Sequence, residues 1–162
     1  MARAPFQVLI ILYQRDSKTI KYCIFERKNP LNQIQFIAGG GEDGEAPIEA
    51  AARELREETG ITNVSFLPLK SLCHVPTNIF SETQRKAWGK DLYVIPEYSF
   101  GAEIETTNGI RLSDEHVGFR WVTYEEARGA LKWDSNKTAL YELNSILQAP
   151  GHRNRADTAL SQ

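Results

Sequence analysis

Cysteine is scarce in this sequence: Cys23 and Cys73 are the only two, far apart. That excludes a disulfide framework and a thiolate zinc site. Cys23 lies in a strand-like apolar run and reads as a buried, reduced thiol. Long apolar stretches are missing as well. The run from Val8 to Tyr13 is followed at once by QRDSK, too short for a membrane span or a signal h-region. A reducing cytoplasm is the expected location. An excess of one charge is also lacking: the formal net charge is −2, so neither nucleic acid nor a membrane surface is an expected partner. His74, His116 and His152 have no metal-ligand spacing and receive no role. No Gly-Lys-Ser/Thr closes a glycine run, which excludes a P-loop.

What is present has the composition of an ordinary globular protein, 41% hydrophobic and 25% charged over 162 residues. Residues 1–149 read as a single domain, and 150–162 as a polar tail expected to be disordered. Strands are predicted at 7–14, 19–26, 34–38, 64–72, 91–100 and 116–122, with helices over 123–131 and 135–148. The segment 74–90 reads as a long connection, with packing and functional roles both open. The order of elements is mixed α and β, without the regular alternation of a doubly wound sheet.

The central helix is the best-signed element. Pro47 suits its first turn, Glu49 its positive dipole end, and Gly60 the position just past its end. On a helical wheel Ile48, Ala51, Ala52 and Leu55 form an apolar stripe expected to face the sheet. Glu54, Glu57 and Glu58 follow at i, i+3 and i+4, three like charges on one side of one turn. A helix shaped by stability alone avoids that pattern; a divalent cation bound by hard oxygen ligands removes the difficulty. Arg53 is placed to hold a glutamate, either Glu49 or Glu57. Before the helix runs IAGGGEDGE, a glycine-rich loop carrying acids of its own. Metal ions between these acids and a phosphate chain reconcile the two, because the ion inverts the local charge logic. The glycines would admit close backbone approach and free a carbonyl as ligand. Gly39-x-Gly41-x-x-Gly44 also fits the dinucleotide fingerprint, but acids stand where a bare pyrophosphate would dock and no repeated βαβ unit follows.

Gly39, Glu45 and Arg53-Glu54-Leu55-x-Glu57-Glu58-x-Gly60-Ile61 match the Nudix box position for position, and on these residues the chain resembles the Nudix hydrolases. The resemblance implies an α/β fold, a Nudix-type α/β/α sandwich with a mixed β-sheet. It also implies a hydrolase acting on phosphoanhydride bonds of a nucleoside diphosphate linked to another group, in which divalent ions neutralise the phosphate chain while water attacks phosphorus. Mg²⁺ is the implied cofactor, with Mn²⁺ as a substitute. Carried over by position, Glu54 and Glu58 are metal ligands, Glu57 is a further ligand or the group that orients or deprotonates water, and the Gly39 carbonyl completes the shell. All three glutamates are the catalytic set. The proline common before the glycines is Ala38 here.

RAP at 3–5, FERKNP at 25–30, LSDEHVGFRWV at 112–122 and LKWDSNKTALYEL at 131–143 resemble a finer branch, the dihydroneopterin triphosphate pyrophosphatases, whose members also hydrolyse dATP. That resemblance implies Glu115, with Asp114 as fallback, as the ligand completing the metal site. It implies Arg27 and Arg3 on the phosphate chain, and Ala38 bordering the substrate. Ser135 and Trp133 would line the pocket for the organic group, although a core tryptophan capping the last helix is the plainer reading of Trp133. The substrate class is then a nucleoside or pterin triphosphate, cleaved to monophosphate and pyrophosphate. Dinucleoside polyphosphates, ADP-ribose and a non-catalytic nucleotide-binding module remain open alternatives, as does a homodimer.

Overall fold

The first long strand is apolar at consecutive positions because helices cover both of its faces. The computed structural model describes residues 2–29, 31, 33–105 and 109–152. Its elements are β1 Arg3–Arg15, β2 Ile20–Arg27, β3 Ile34–Gln35, β4 Ile37–Glu42, α1 Pro47–Thr59, β5 Phe66–Pro76, a 3-10 turn Thr77–Ile79, α2 Glu82–Trp88, β6 Val94–Glu103, β7 His116–Val122, α3 Tyr124–Ala130 and α4 Asp134–Gln148. Val8, Ile10 and Leu12 of β1 pack with Ala50, Ala51 and Leu55 of α1. Leu9, Ile11 and Tyr13, alternating with them, pack with Ala139, Leu140, Leu143 and Leu147 of α4 and Ala127 of α3. The result is the expected α/β/α sandwich.

The seven strands form one mixed sheet in the order β3-β2-β1-β6-β5, with β4 paired to β1 and β7 to β2. β1 is its spine. It runs parallel to β6 over Gln7–Glu97 to Tyr13–Glu103 and antiparallel to β4 from Arg3–Glu42 to Ile10–Ile37. The glycines expected in a loop therefore lie inside a strand: Gly39 pairs with Val8 and Gly40 with Gln7. A partner strand far away in sequence overrides their local preference for turns.

The connection expected over 74–90 is largely ordered structure. β5 continues to Pro76, and α2 is capped by the Ser81 hydroxyl, which accepts from the Gln84 amide at 3.2 Å. Pro68 and Pro76 disguise β5 in the sequence; they are tolerated because β5 is an edge strand. Cys23 is buried and free, as expected of a reduced thiol. The expected tail, 150–162, lies almost wholly outside the described residues.

The stripe predicted for α1 is rotated. Ala50, Ala51, Leu55, Glu58 and Thr59 are buried, whereas Ile48 is 44% exposed and Ala52 is exposed. Polar residues enter the buried arc because each finds a partner. Thr59 Oγ1 donates to the Leu55 carbonyl at 2.6 Å, and Glu58 meets a histidine described below.

The β5–β6 register shifts between Pro68 and Leu72, and Glu142 of α4 receives groups of that irregular stretch. Its carboxylate accepts the Lys70 amide at 2.6 Å, the Ser71 amide at 2.7 Å and the Ser71 hydroxyl at 2.6 Å. Partial burial would raise the Glu142 carboxyl, but these hydrogen bonds outweigh it and hold it below the ordinary carboxylate value. A depressed pKa contributes stability above the unfolded value, about 4.3 for glutamate, and loses it as pH falls through the folded value. Glu142→Gln is therefore expected to lower stability by about 1–2 kcal/mol at neutral pH. Urea unfolding at a series of pH values should show the difference from the unaltered protein vanishing below the folded pKa.

Candidate active site

The acidic turn of α1 is placed by its two ends. Glu49 accepts the Ala46 amide at 2.8 Å at the start. Gly60, at φ 77°, ends the helix with its amide on the Arg56 carbonyl. Between them the turn lies against β4 so closely that an added Gly39 Cβ would sit 2.1 Å from the Glu54 Cδ. The glycine is thus the seat of the Glu54 carboxylate.

Arg53 clamps the surroundings. Its Nε donates to Glu45 at 2.7 Å, its Nη2 to Glu45 at 3.1 Å and to the Gly40 carbonyl at 2.7 Å, and its Nη1 to Glu54 at 2.8 Å and to Glu57 at 3.2 Å. The expected Glu57 contact is present. The alternative partner, Glu49, is engaged at the helix start instead. The Arg53 hydrogen bond holds Glu45 below the ordinary carboxylate range. Glu54 goes the other way, up to about 7. Burial is the main cause, Glu58 and Glu57 add to it, and Arg53 only partly opposes it.

Glu58 is 3% exposed and meets His116 Nε2 at 2.6 Å, both side chains enclosed. Burial raises its carboxyl, the His116 hydrogen bond opposes, Glu115 adds to the rise, and Arg27 counters it. Glu115 stands next to His116, its backbone carbonyl accepting the Lys28 amide at 2.8 Å. Ligand atoms of Glu58, Glu115 and His116 all lie within 4.8 Å of one another. His116 Nδ1 is buried without a hydrogen-bond partner among the described residues.

The expected site residues divide accordingly. Glu54, Glu57, Glu58 and Gly39 are together on α1 and β4, with Glu115 beside Glu58; Asp114 is outside that group. Arg27 is near enough to Glu58 to act on its charge. Arg3 is no stray surface cation. Its guanidinium fills the space of a Gly40 side chain, with Cζ 2.4 Å from where that Cβ would be, and stacks on Phe80 at 4.7 Å. Ala38 pairs with Leu9, one residue before Gly39. Ser135 contacts Cys73 and Asn136 instead of the glutamates. Trp133 precedes α4 but is 46% exposed, so it is not the core cap that its type predicts.

His116 is the residue that sequence reasoning missed. Its partner is 58 positions away on α1, and a search for histidine pairs at ligand spacing passes over it. Its one sequence signal is its place, directly after Glu115 at the start of a strand.

A turn of glutamates seated on a glycine strand and held by one arginine is an arrangement that could hold divalent cations against a phosphate chain, and comparison with known proteins places it in a class of hydrolases acting on phosphoanhydride bonds. More particularly, a NUDIX domain model matches residues 4–143, and the chain belongs to the Nudix family. It is similar to a NUDIX hydrolase from Listeria monocytogenes of known crystal structure, with 40% identity and a TM-score of 0.79, covering 90% of this chain and 95% of that one. The bis(5'-nucleosyl)-tetraphosphatase (asymmetrical) of Mus musculus is 28% identical, over 85% of this chain and 87% of its own. The dihydroneopterin triphosphate diphosphatase of Escherichia coli is 24% identical, over 85% and 91% respectively. No helix among the described residues is long and apolar enough to cross a membrane.

Proposed function

We propose that this protein is a Mg²⁺-dependent pyrophosphohydrolase that cleaves a nucleoside or pterin triphosphate to the monophosphate and pyrophosphate. The observation that carries the reading is the Glu54–Glu58 turn seated on Gly39. Buried and mutually repelling carboxyls, one of them pushed up to about 7, mark a place that a cation would relieve. The donor set is hard oxygen, which fits Mg²⁺ or Mn²⁺. Glu54, Glu57, Glu58 and Glu115 would hold the ions, with the Gly39 backbone beside them. Bound there, the ions supply neutralisation of the phosphate chain and activation of the attacking water.

The chain's own residues do the rest. Arg53 fixes Glu54 and Glu57 relative to the Gly40 carbonyl, so the carboxylates meet a substrate already in place. His116 orients Glu58, as partners of metal-binding groups commonly do. Glu57, 53% exposed at its side chain and outermost of the three, is the carboxylate free to take a proton from water. Arg3 lies on Gly40 and, with Arg27 at the Glu58 end, would neutralise the phosphates.

Dinucleoside polyphosphates are the second reading, favoured by the similarity to the mouse tetraphosphatase. One screen tests both: dATP, other nucleoside triphosphates, dihydroneopterin triphosphate, diadenosine tetraphosphate and ADP-ribose, each with Mg²⁺, and products resolved by chromatography. Pyrophosphate with a monophosphate supports the first reading, and asymmetric cleavage of the tetraphosphate alone supports the second. Tight binding without any product would leave a nucleotide-binding module.

A further inference from the structure

On the sheet face opposite α1, three strand registers set four residues in one row. Gly40 of β4 pairs with Gln7 of β1, Gln7 with Glu97 of β6, and Glu97 with Cys73 of β5. Directly paired residues project to the same face, and Gln7 shares its face with Leu9, which packs under α4. The row therefore lies where the apolar core beneath α4 gives way to polar groups. At its near end Arg3 occupies the space over Gly40, donates to Gln7 at 3.2 Å, keeps a buried Nε without a partner among the described residues, and is near enough to Glu54 for that charge to act on it. At the far end Ser135, at the start of α4, is near enough to the Cys73 thiol to act on it, while the thiol itself donates to the His74 carbonyl at 3.5 Å. Glu97 is two strand spacings from Gly40, about 10 Å.

Glu97 is 7% exposed, no hydrogen bond to its carboxyl forms among the described residues, and its oxygens are not among the sealed unpartnered atoms, which are Arg3 Nε and His116 Nδ1. Burial alone pushes it up, with no cation to counter the rise. A carboxyl held within the sheet, without a protein partner and with oxygens still open to solvent, is available to an occupant. Metal chemistry does not claim it, since the ligand glutamates are on the other side of the row.

We infer that Glu97 reads the organic group of the substrate, and that this group is an amino-substituted nitrogen heterocycle, with a ring nitrogen beside an exocyclic amine. The inference rests on the hydrolase reading only for where the phosphates lie, at Arg3 and the acidic turn. A carboxyl matches that edge in either protonation state. Ionised, it accepts two parallel N–H groups, as a guanine or a pterin presents them. Protonated, it donates to a ring nitrogen and accepts from the neighbouring amine, as adenine requires. Uracil presents one N–H between two carbonyls, and the carbonyls repel the carboxyl oxygens.

The test compares dGTP, dATP and dihydroneopterin triphosphate with dUTP, by kcat/KM with Mg²⁺ and by equilibrium binding of α,β-imido analogues with Ca²⁺. The unaltered protein should prefer the aminated rings, and Glu97→Gln and Glu97→Asp should each lower that preference about 30-fold. Deleting the amine from the ligand tests the same contact in the unaltered chain, so folding of a variant is not at issue. dITP should fall behind dGTP, and purine deoxyriboside triphosphate behind dATP. Selectivity unchanged by the substitutions, or equal losses on every ring, overturns the inference while leaving hydrolysis intact. Glu97-dependent selectivity in binding without any turnover sustains the inference and removes the hydrolase reading instead.

Discussion

Glu58→Gln is expected to lower kcat about 10³-fold while leaving the melting temperature unchanged or raised. The two effects diverge because Glu58 is carried against stability. It is 3% exposed, burial pushes its carboxyl up, and Glu115 stands close by. An amide of the same shape keeps a hydrogen bond to His116 and removes a buried charge, so the fold loses little. On the proposed function the site would also lose an anionic oxygen facing the ions, and the Mg²⁺ concentration for half-maximal rate should rise with the fall in kcat. Glu57→Gln makes the complementary case. That side chain is 53% exposed and, among the described residues, bound only to Arg53, at 3.2 Å, so its loss should reduce kcat comparably with a smaller shift in Mg²⁺ requirement. Steady-state rates across a Mg²⁺ series, with calorimetry on each variant, separate the two roles. Full activity in both variants would leave the acidic turn without a catalytic part.

The contrast between these two glutamates shows what a sequence carries and what it does not. α1 is legible because its signals are local: Pro47, Gly60 and the glutamate spacing lie within a few turns and agree with one another. The structure returns that helix with its acidic turn intact. Which face is buried is not local. Ile48 and Ala52 are apolar and outside, whereas Glu58 and Thr59 are polar and inside, because His116 and the Leu55 carbonyl satisfy them. The glycines mislead for a related reason. Alone they spell a turn, but β1 recruits them as a strand, and their small size then admits side chains where Cβ atoms would stand. Glu97 was illegible altogether: within VIPEYSF nothing distinguishes a buried carboxyl from a solvated one until β1 and β5 flank it.

Gly39→Ala carries the second large expectation, about a 10²-fold loss of kcat/KM in a protein that remains folded. The strand itself favours the change, since alanine loses less conformational freedom than glycine and Gly39 is not among the positive-φ glycines. The collision is with the end of one flexible side chain: the new methyl would be 2.1 Å from Glu54 Cδ and 2.4 Å from its Oε2. Glu54 can rotate away cheaply, which spares the fold and displaces the carboxylate. Arg53 then loses its 2.8 Å partner and keeps the longer 3.2 Å contact with Glu57 on that turn, and on the proposed function the ions would lose a ligand at the position facing the glycine strand. Misplacement of a catalytic group by an ångström suffices for such a loss. Titration of Mn²⁺ by electron paramagnetic resonance should show weaker metal binding in step with the fall in rate. A melting temperature close to that of the unaltered chain would place the defect at the carboxylate. Unaltered metal affinity and unaltered turnover would mean that Glu54 serves equally well from another rotamer, and that its seat on Gly39 has no part in catalysis.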